Sequence, residues 1–475
     1  MNIVILTEGG KDFGFGHVAR CSSVYQAFLE RDIVPNFIIN GDESVCSILD
    51  NIDFNLCNWI NDVSFLNSTD IVIMDSYIAD VELYDEISKK VSLMVCFDDN
   101  NRLSYPSGIV INGLIGADCL NYSQDNIKYL LGSKFTPLRY DFWNIPKLKI
   151  NDDIKNILIT MGGNDLRNLS PKILELLNKE FPNIHKKVVI AESFRNVSEI
   201  ESLKNECTEL IYSPSSKEML NTMSNVDLAI SASGQTLYEL ACVGVPTIAI
   251  GIIENQKDNI ENWQKVGFIE YAGCWNDNGL FKNILDKIQF LNDINIRYEK
   301  RLKAIQSIDG KGSLRIVKEI LNDFYTKNSI FREINEKDCL NIFEIANDDE
   351  VRKNSFNSQK IKLEDHKNWF KKMLNDDSVE FFVLEYNGNI IGQLRFDFDE
   401  QYPVISISLN KKYRGLGLSK YLLAKGMKYL GESDKIVAYI KPENFKSISF
   451  FKSMGFKKDD EVVINDCHAF KFIME

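Results

Sequence analysis

Short apolar runs alternate with stretches of helical periodicity along the first two thirds of the chain. Residues 2–7 (NIVILT) form a continuous apolar run suited to a strand buried on both faces. The stretch GGKDFGFGHVAR, 9–20, follows, and residues 18–30 then carry apolar positions at helical spacing. Strand, glycine-rich turn and helix in that order open a nucleotide-type α/β domain. Strands are predicted at 3–6, 35–39, 70–74, 93–97 and 109–111. The segment 130–142 (LLGSKFTPLRYDF), with its glycine and proline, marks a crossover. A second α/β run begins near residue 149, with strands at 154–161, 187–191, 228–231 and 247–252 and a helix at 237–243.

The pattern then changes. A helix at 316–325 leads to a boundary near residue 328. Beyond it come a strand at 330–334, a helical region with Trp369 and Phe370, and a hairpin of 381–385 and 390–396. The hairpin turns through Asn387-Gly388, the pair preferred by type I′ turns. Residues 404–409 alternate as a half-buried strand, and a glycine-rich segment at 412–419 enters a helix running to about 430. Three domains are expected, at 1–145, 146–328 and 329–475.

Composition narrows the function classes. With 475 residues, 44% hydrophobic and 26% charged, the chain reads as soluble and globular, with room for about three domains. No apolar run has the length of a membrane span, and residues 2–7 lack the pattern of a signal peptide. The ten cysteines include no CxxC pair, so neither a disulfide framework nor a metal site is expected. The expected compartment is the cytoplasm. A net charge of −13 argues against nucleic acid as a partner but leaves room for an anionic small ligand.

The candidate chemistry starts at His17, where the glycine turn meets the helix. The positive end of a helix dipole disfavours imidazolium, so His17 is expected to rest neutral and to accept a proton. The plainer reading is a histidine that caps the helix. Asp75-Ser76-Tyr77, Asp98-Asp99-Asn100 and Asn112 follow predicted strands and would face the same crevice as His17, but each alone is more often a cap or turn residue, and for Asp98–Asn100 the turn is the favoured reading. In the second run, Gly162-Gly163-Asn164-Asp165 and Ser231-Ala232-Ser233-Gly234-Gln235-Thr236 each follow a strand. The latter exposes backbone N–H groups at a helix start, a site for phosphate, with Glu239 one turn on as an acceptor for a ribose diol. Glu254-Asn255-Gln256 follows the next strand toward the same pocket.

Two resemblances sharpen this. GFGHVARC (14–21), LLGSKFTPLR, MGGND (161–165), SASGQTLYEL (231–240) and ENQ (254–256) resemble the UDP-sugar hydrolases of pseudaminic acid biosynthesis. That resemblance implies a GT-B-like pair of doubly wound α/β domains and hydrolysis of UDP-2,4-diacetamido-2,4,6-trideoxy-β-L-altropyranose to UDP and free sugar. It implies His17 as proton acceptor for water, no metal, and Asn255 near the sugar. The substrate contacts it implies are Gly14, Gly16 and Arg20 in the first domain. In the second they are Gly163, Asn164, Ser233, Gly234, Gln235, Thr236, Glu239 and Asn255. The segment KYRGLGLS (412–419) resembles the pyrophosphate loop of the GNAT N-acetyltransferases, an α+β fold, and 444–456 (NFKSISFFKSMGF) resembles their later helix. This implies acetyl-CoA as co-substrate, held by Lys412, Arg414, Gly415, Gly417, Ser419 and Asn444. Residues 345–370 resemble acetyltransferases acting on amino groups of nucleotide-linked sugars, a group that also holds protein N-terminal acetyltransferases.

Two departures stand out. Lys412 replaces the usual Gln or Arg. Phe451 stands where many members carry a tyrosine that protonates the departing thiolate, leaving Tyr439, Ser449, Cys467 or His468 for that task. The combined expectation is a bifunctional enzyme that acetylates a UDP-4-amino-sugar and hydrolyses the UDP-diacetamido sugar. The alternatives are a glycosyltransferase that passes the sugar to an acceptor, and a non-catalytic nucleotide-sugar sensor.

Overall fold

The computed structural model describes residues 1–474 except 12, 50–51, 147–149, 254–255, 399–400 and 432–434. The chain divides into two compact units, Met1–Val317 and Lys318–Glu475, and the division falls inside one helix, Gly312–Asn328.

The first unit holds two parallel sheets. One contains β1 (Asn2–Gly9), β2 (Asn36–Gly41), β3 (Asn55–Leu56), β4 (Asp70–Asp75), β5 (Leu93–Phe97), β6 (Gly108–Asn112) and β7 (Ile127–Leu131), in the order β3-β2-β1-β4-β5-β6-β7. The other contains β8 (Asn156–Thr160), β9 (His185–Ile190), β10 (Thr208–Tyr212), β11 (Leu228–Ala232), β12 (Thr247–Gly251) and β13 (Ile269–Cys274), ordered β10-β9-β8-β11-β12-β13. Both orders reverse direction once, between β1 and β4 and between β8 and β11. In such sheets the crevice beyond the strand ends at the reversal is the binding place. The central strands β4, β5, β11 and β12 are buried at every position, so their sequences read as unbroken apolar runs. The segment between the sheets packs on the second one: Leu138 and Phe142 share a core with Leu237, Tyr238 and Ala241.

The second unit has one mixed sheet. Its strands are β14 (Ile330–Glu333), β15 (Val379–Tyr386), β16 (Asn389–Asp397), β17 (Val404–Leu409), β18 (Ile436–Ile440), β19 (Lys457–Ile464) and β20 (Cys467–Met474), ordered β14-β15-β16-β17-β18-β20-β19. Neighbours are antiparallel except β17 and β18, which run parallel and meet at one residue pair, Val404 and Val437. The hairpin turn has Asn387 at φ 48° and Gly388 at φ 77°, both left-handed, as a type I′ turn requires.

Candidate functional site

β1 ends at Gly9, and the chain then closes a small loop through two backbone hydrogen bonds between Gly10 and Gly14, of 3.0 and 2.8 Å. Gly14 sits at φ 78° and releases the chain into the helix Gly16–Leu29. His17 and Arg20, three apart, share one face of that helix. β4 runs beside β1 with Asp75 opposite Thr7, so the carboxylate emerges at the strand reversal, directly below the helix start.

Asp75 gathers this site. Its Oδ1 lies 2.7 Å from His17 Nδ1 and 2.7 Å from Arg20 Nη2, and its Oδ2 accepts from Arg20 Nε at 2.8 Å. Asp75 is buried, which opposes its charge, but Arg20 and then His17 hold it well below the usual carboxylate range. An ionised carboxylate only accepts, so His17 Nδ1 carries the proton and Nε2 of the neutral ring keeps its lone pair. Burial pushes the imidazole down, but the Asp75 charge and hydrogen bond outweigh it, and His17 titrates above the ordinary histidine value. The expected direction from the helix dipole is therefore overridden by a charge in contact. Arg20 reaches a second carboxylate, with Nη1 2.5 Å from Asp99 Oδ1, and its guanidinium lies 4.9 Å from the Phe97 ring centroid. Its donors thus serve the two carboxylates.

Tyr77 completes the group. Its ring meets the imidazole edge-on at 4.7 Å, and its hydroxyl donates to Asp99 Oδ2 at 2.5 Å. Burial and the Asp99 charge push its phenol upward, so it stays protonated. Glu8, buried, accepts from Ser76 Oγ and the Tyr77 N–H, both at 2.6 Å, which fixes the β4 exit. Asp98 points elsewhere: it accepts from Tyr105, Tyr122 and the Arg102 N–H, the turn role that was the plainer expectation.

At the second reversal, the loop after β8 carries Gly163 and Asn164, and Ser193 Oγ donates to Gly163 O. After β11, buried Ser233 donates to Ile250 O at 2.9 Å, and Gly234 and Gln235 lead into the helix Thr236–Val243. Among the described residues no side chain caps that helix start, and an uncapped helix N-terminus is a place where backbone N–H groups can take an anion. A Cβ at Gly234 would meet only Gln256 Nε2, at 3.9 Å. Glu239 accepts from Arg139 Nε at 2.8 Å. Asn255 and Glu254 lie outside the described residues. Tyr238, next to Glu239, ties its helix to the chain after β6: its hydroxyl accepts from the Ile115 N–H at 3.2 Å.

In the second unit, residues 412–419 connect β17 to the helix Leu418–Leu430. Gly415 (φ 80°) and Gly417 (φ 84°) take left-handed conformations, which aim successive N–H groups to one side. Asn322 Nδ2 donates to Leu416 O at 2.8 Å and so holds the backbone between the two glycines. Backbone of this kind can form a concavity for an anion, and beside it β17 and β18 share one register pair, Val404 and Val437. Lys412 is exposed and its backbone N–H is held by Asn410, while Ser419 lies in the first turn of the helix Leu418–Leu430. Arg414 is engaged by Asp348 at 2.7 Å and Glu350 at 3.1 Å. Asn444 caps the helix Phe445–Ser453 through the Ser447 N–H. Phe451 is buried against Phe456, ring centroids 4.9 Å apart.

The sequence singled out His17 but gave no role to Arg139, and named Asp75 and Tyr77 only as polar strand tips. The signal for the last two was a polar DSY directly after an apolar strand. Among the described residues, no group of three or more His, Cys, Asp or Glu is placed to hold a metal ion, and no helix is long and apolar enough to cross a membrane.

Comparison with known proteins bears on both units. Residues 340–456 match the acetyltransferase (GNAT) family model. The chain is 26% identical to an uncharacterized protein of Methanocaldococcus jannaschii, over 96% of this chain and 97% of that one. It is 25% identical to the spore coat polysaccharide biosynthesis protein SpsG of Bacillus subtilis, over 68% of this chain and 99% of that protein. It is 24% identical to the pseudaminic acid cytidylyltransferase and UDP-2,4-diacetamido-2,4,6-trideoxy-beta-L-altropyranose hydrolase of Helicobacter pylori, over 57% of this chain and 48% of that protein. Likeness to a hydrolase-bearing protein and a GNAT domain are thus joined in one chain.

Proposed function

We propose that the chain is a bifunctional enzyme of nucleotide-sugar metabolism. Its first unit, a GT-B-like pair of doubly wound domains, hydrolyses UDP-2,4-diacetamido-2,4,6-trideoxy-β-L-altropyranose. Its second unit acetylates the 4-amino group of the UDP-sugar precursor from acetyl-CoA. The observation that carries the first half is the His17–Asp75 pair at a strand reversal, 2.7 Å apart, in one unit with an uncapped helix start after β11. The activity in the Helicobacter pylori protein's name supports the substrate class.

In this reading a water at His17 Nε2 gives its proton to the imidazole as its oxygen bonds to the anomeric carbon. The bond from that carbon to the β-phosphate oxygen breaks, and UDP leaves with the electron pair. Asp75 stabilises the imidazolium and takes no proton. Amides near Gly234–Thr236 meet the charge gathering on the diphosphate, an effect worth several kcal/mol in known sites, about 2.7–4 for one donor. In the second unit a neutral amine attacks the thioester carbon, the carbon–sulfur bond breaks as the thiolate of coenzyme A departs, and the proton the nitrogen loses ends, through solvent, on that sulfur.

The test is incubation of the purified chain with the UDP-diacetamido sugar, with UDP and free sugar followed by chromatography. A parallel incubation with the UDP-4-amino sugar and acetyl-CoA follows acetyl transfer. UDP formed together with free sugar supports hydrolysis. UDP formed only when an acceptor is added makes the first unit a glycosyltransferase, and no UDP at all makes it a binding module.

A further inference from the structure

The segment linking the two sheets of the first unit runs alongside the helix Thr236–Val243 and touches it once per turn. Gln235 Nε2 donates to Pro137 O at 3.4 Å, Arg139 bonds Glu239, and Cys242 Sγ donates to Phe142 O at 3.5 Å. Positions 235, 239 and 242 follow one face of the helix. Leu138 and Phe142 anchor the segment in the core, and the Arg139 guanidinium lies 5.6 Å from the Phe142 ring centroid. Both partners of the Arg139–Glu239 pair are therefore held by their backbones. Their geometry is one-sided. Arg139 Nε and Nη2 both lie 2.8 Å from Oε1 of Glu239. A fork-to-fork pair would use both carboxylate oxygens. Here none of the described residues donates to Oε2, and the Glu239 side chain keeps a tenth of its surface exposed.

We propose that Arg139 is a positioning residue for nucleotide recognition: it fixes Oε1 of Glu239 and so presents Oε2 to a ribose hydroxyl. The inference rests on the reading of the second sheet as a UDP site and adds a residue to it. A purely structural ion pair would leave ribose discrimination unchanged when broken. A positioning pair makes that discrimination depend on Arg139, which need not touch the ligand. A swinging carboxylate must be ordered at the moment of binding, which weakens the one bond to the hydroxyl and leaves the diphosphate contacts as they were.

Calorimetry on the full chain with UDP, 2′-deoxy-UDP and 3′-deoxy-UDP tests this. The wild type should bind UDP at least about tenfold tighter than the weaker deoxy analogue, the scale of a hydrogen bond to a charged group. Glu239→Gln should bring that ratio below about threefold. Arg139→Met should do the same, and Arg139→Lys, which keeps charge on one donor centre, should fall between. The circular dichroism spectrum and thermal transition of each variant report folding, and Arg139→Lys decides the matter if Arg139→Met is unfolded. Loss of discrimination in Glu239→Gln but full retention in both Arg139 variants overturns the inference and leaves the UDP site standing. Failure of the wild type to bind UDP overturns both.

Discussion

Asp75 bonds both His17 and Arg20, and its charge together with its bond to the imidazole raises the His17 pKa against the effect of burial. His17→Asn keeps a donor toward Asp75 but removes the proton acceptor. UDP release should fall by ~10²-fold or more with UDP affinity retained. Initial rates and calorimetry check this pair of outcomes.

Asp75→Asn should shift the pH profile in a definite direction. The base works when deprotonated, so hydrolysis rises with pH through the folded pKa of His17, which lies above the ordinary value of about 6.5. Without the Asp75 charge, burial and Arg20, which lower that pKa, outweigh the smaller opposing effect of Asp99. The inflection should move below the ordinary value. The maximal rate should also fall ~10²-fold or more, because an amide no longer fixes the tautomer. An inflection that stays in place would assign the titration to another group.

Gly234→Val tests the phosphate loop. Gly234 has no positive φ and open space around its Cβ, so the fold should tolerate the side chain. The branched group would stand where the diphosphate meets the helix amides. UDP affinity should drop by about tenfold or more, with acetyl-CoA affinity unchanged. Unaltered UDP binding would place the nucleotide elsewhere.

The acetyltransferase loop offers a graded pair. Asn322→Ala frees Leu416 O, and the KM for acetyl-CoA should rise roughly three- to tenfold with kcat little changed. Gly415→Asp with Gly417→Asp places two carboxylates against a pyrophosphate and should abolish acetyl transfer. Aspartate enters left-handed conformations more readily than most residues, which limits the strain. Hydrolysis of the pre-acetylated sugar should survive in both variants. Its loss in a folded protein would indicate one shared site.

Where the chain is cut should matter. Phe324 and Tyr325 stack edge-on against Tyr386, and Tyr325 against Tyr413, at 5.2–5.5 Å between centroids. A fragment of residues 318–475 keeps these contacts, and one of residues 329–475 loses them. The shorter fragment should melt roughly 5 °C or more below the longer. Equal melting temperatures would show that the helix end adds nothing.

What the sequence left unread has a common physical cause. In the two parallel sheets, the strands it did not predict are β3, β7, β10 and β13, and these are the four sheet edges. An edge strand is covered incompletely, so its sequence mixes polar with apolar residues: TELIY for β10 exposes Glu209 and Tyr212. The central strands carry the unbroken runs that periodicity detects. His17 was legible because a glycine turn announced it. Its partner Asp75 was not, because the contact spans 58 residues and depends on which strands become neighbours. Arg139 was hidden for the same reason, with its carboxylate partner 100 residues away.

The cluster around His17 has an unequal charge count. Among the described residues Asp75 and Asp99 pair with one guanidinium, that of Arg20, so with the imidazole neutral these groups together carry a net negative charge. A ring carrying a fixed positive charge in place of the sugar's anomeric centre would find that charge waiting. An iminosugar-type inhibitor with a quaternised ring nitrogen should therefore bind more tightly than its neutral carbocyclic counterpart. The margin should widen as rising pH removes the proton from His17, and disappear in Asp75→Asn. Competition assays at two pH values would measure it.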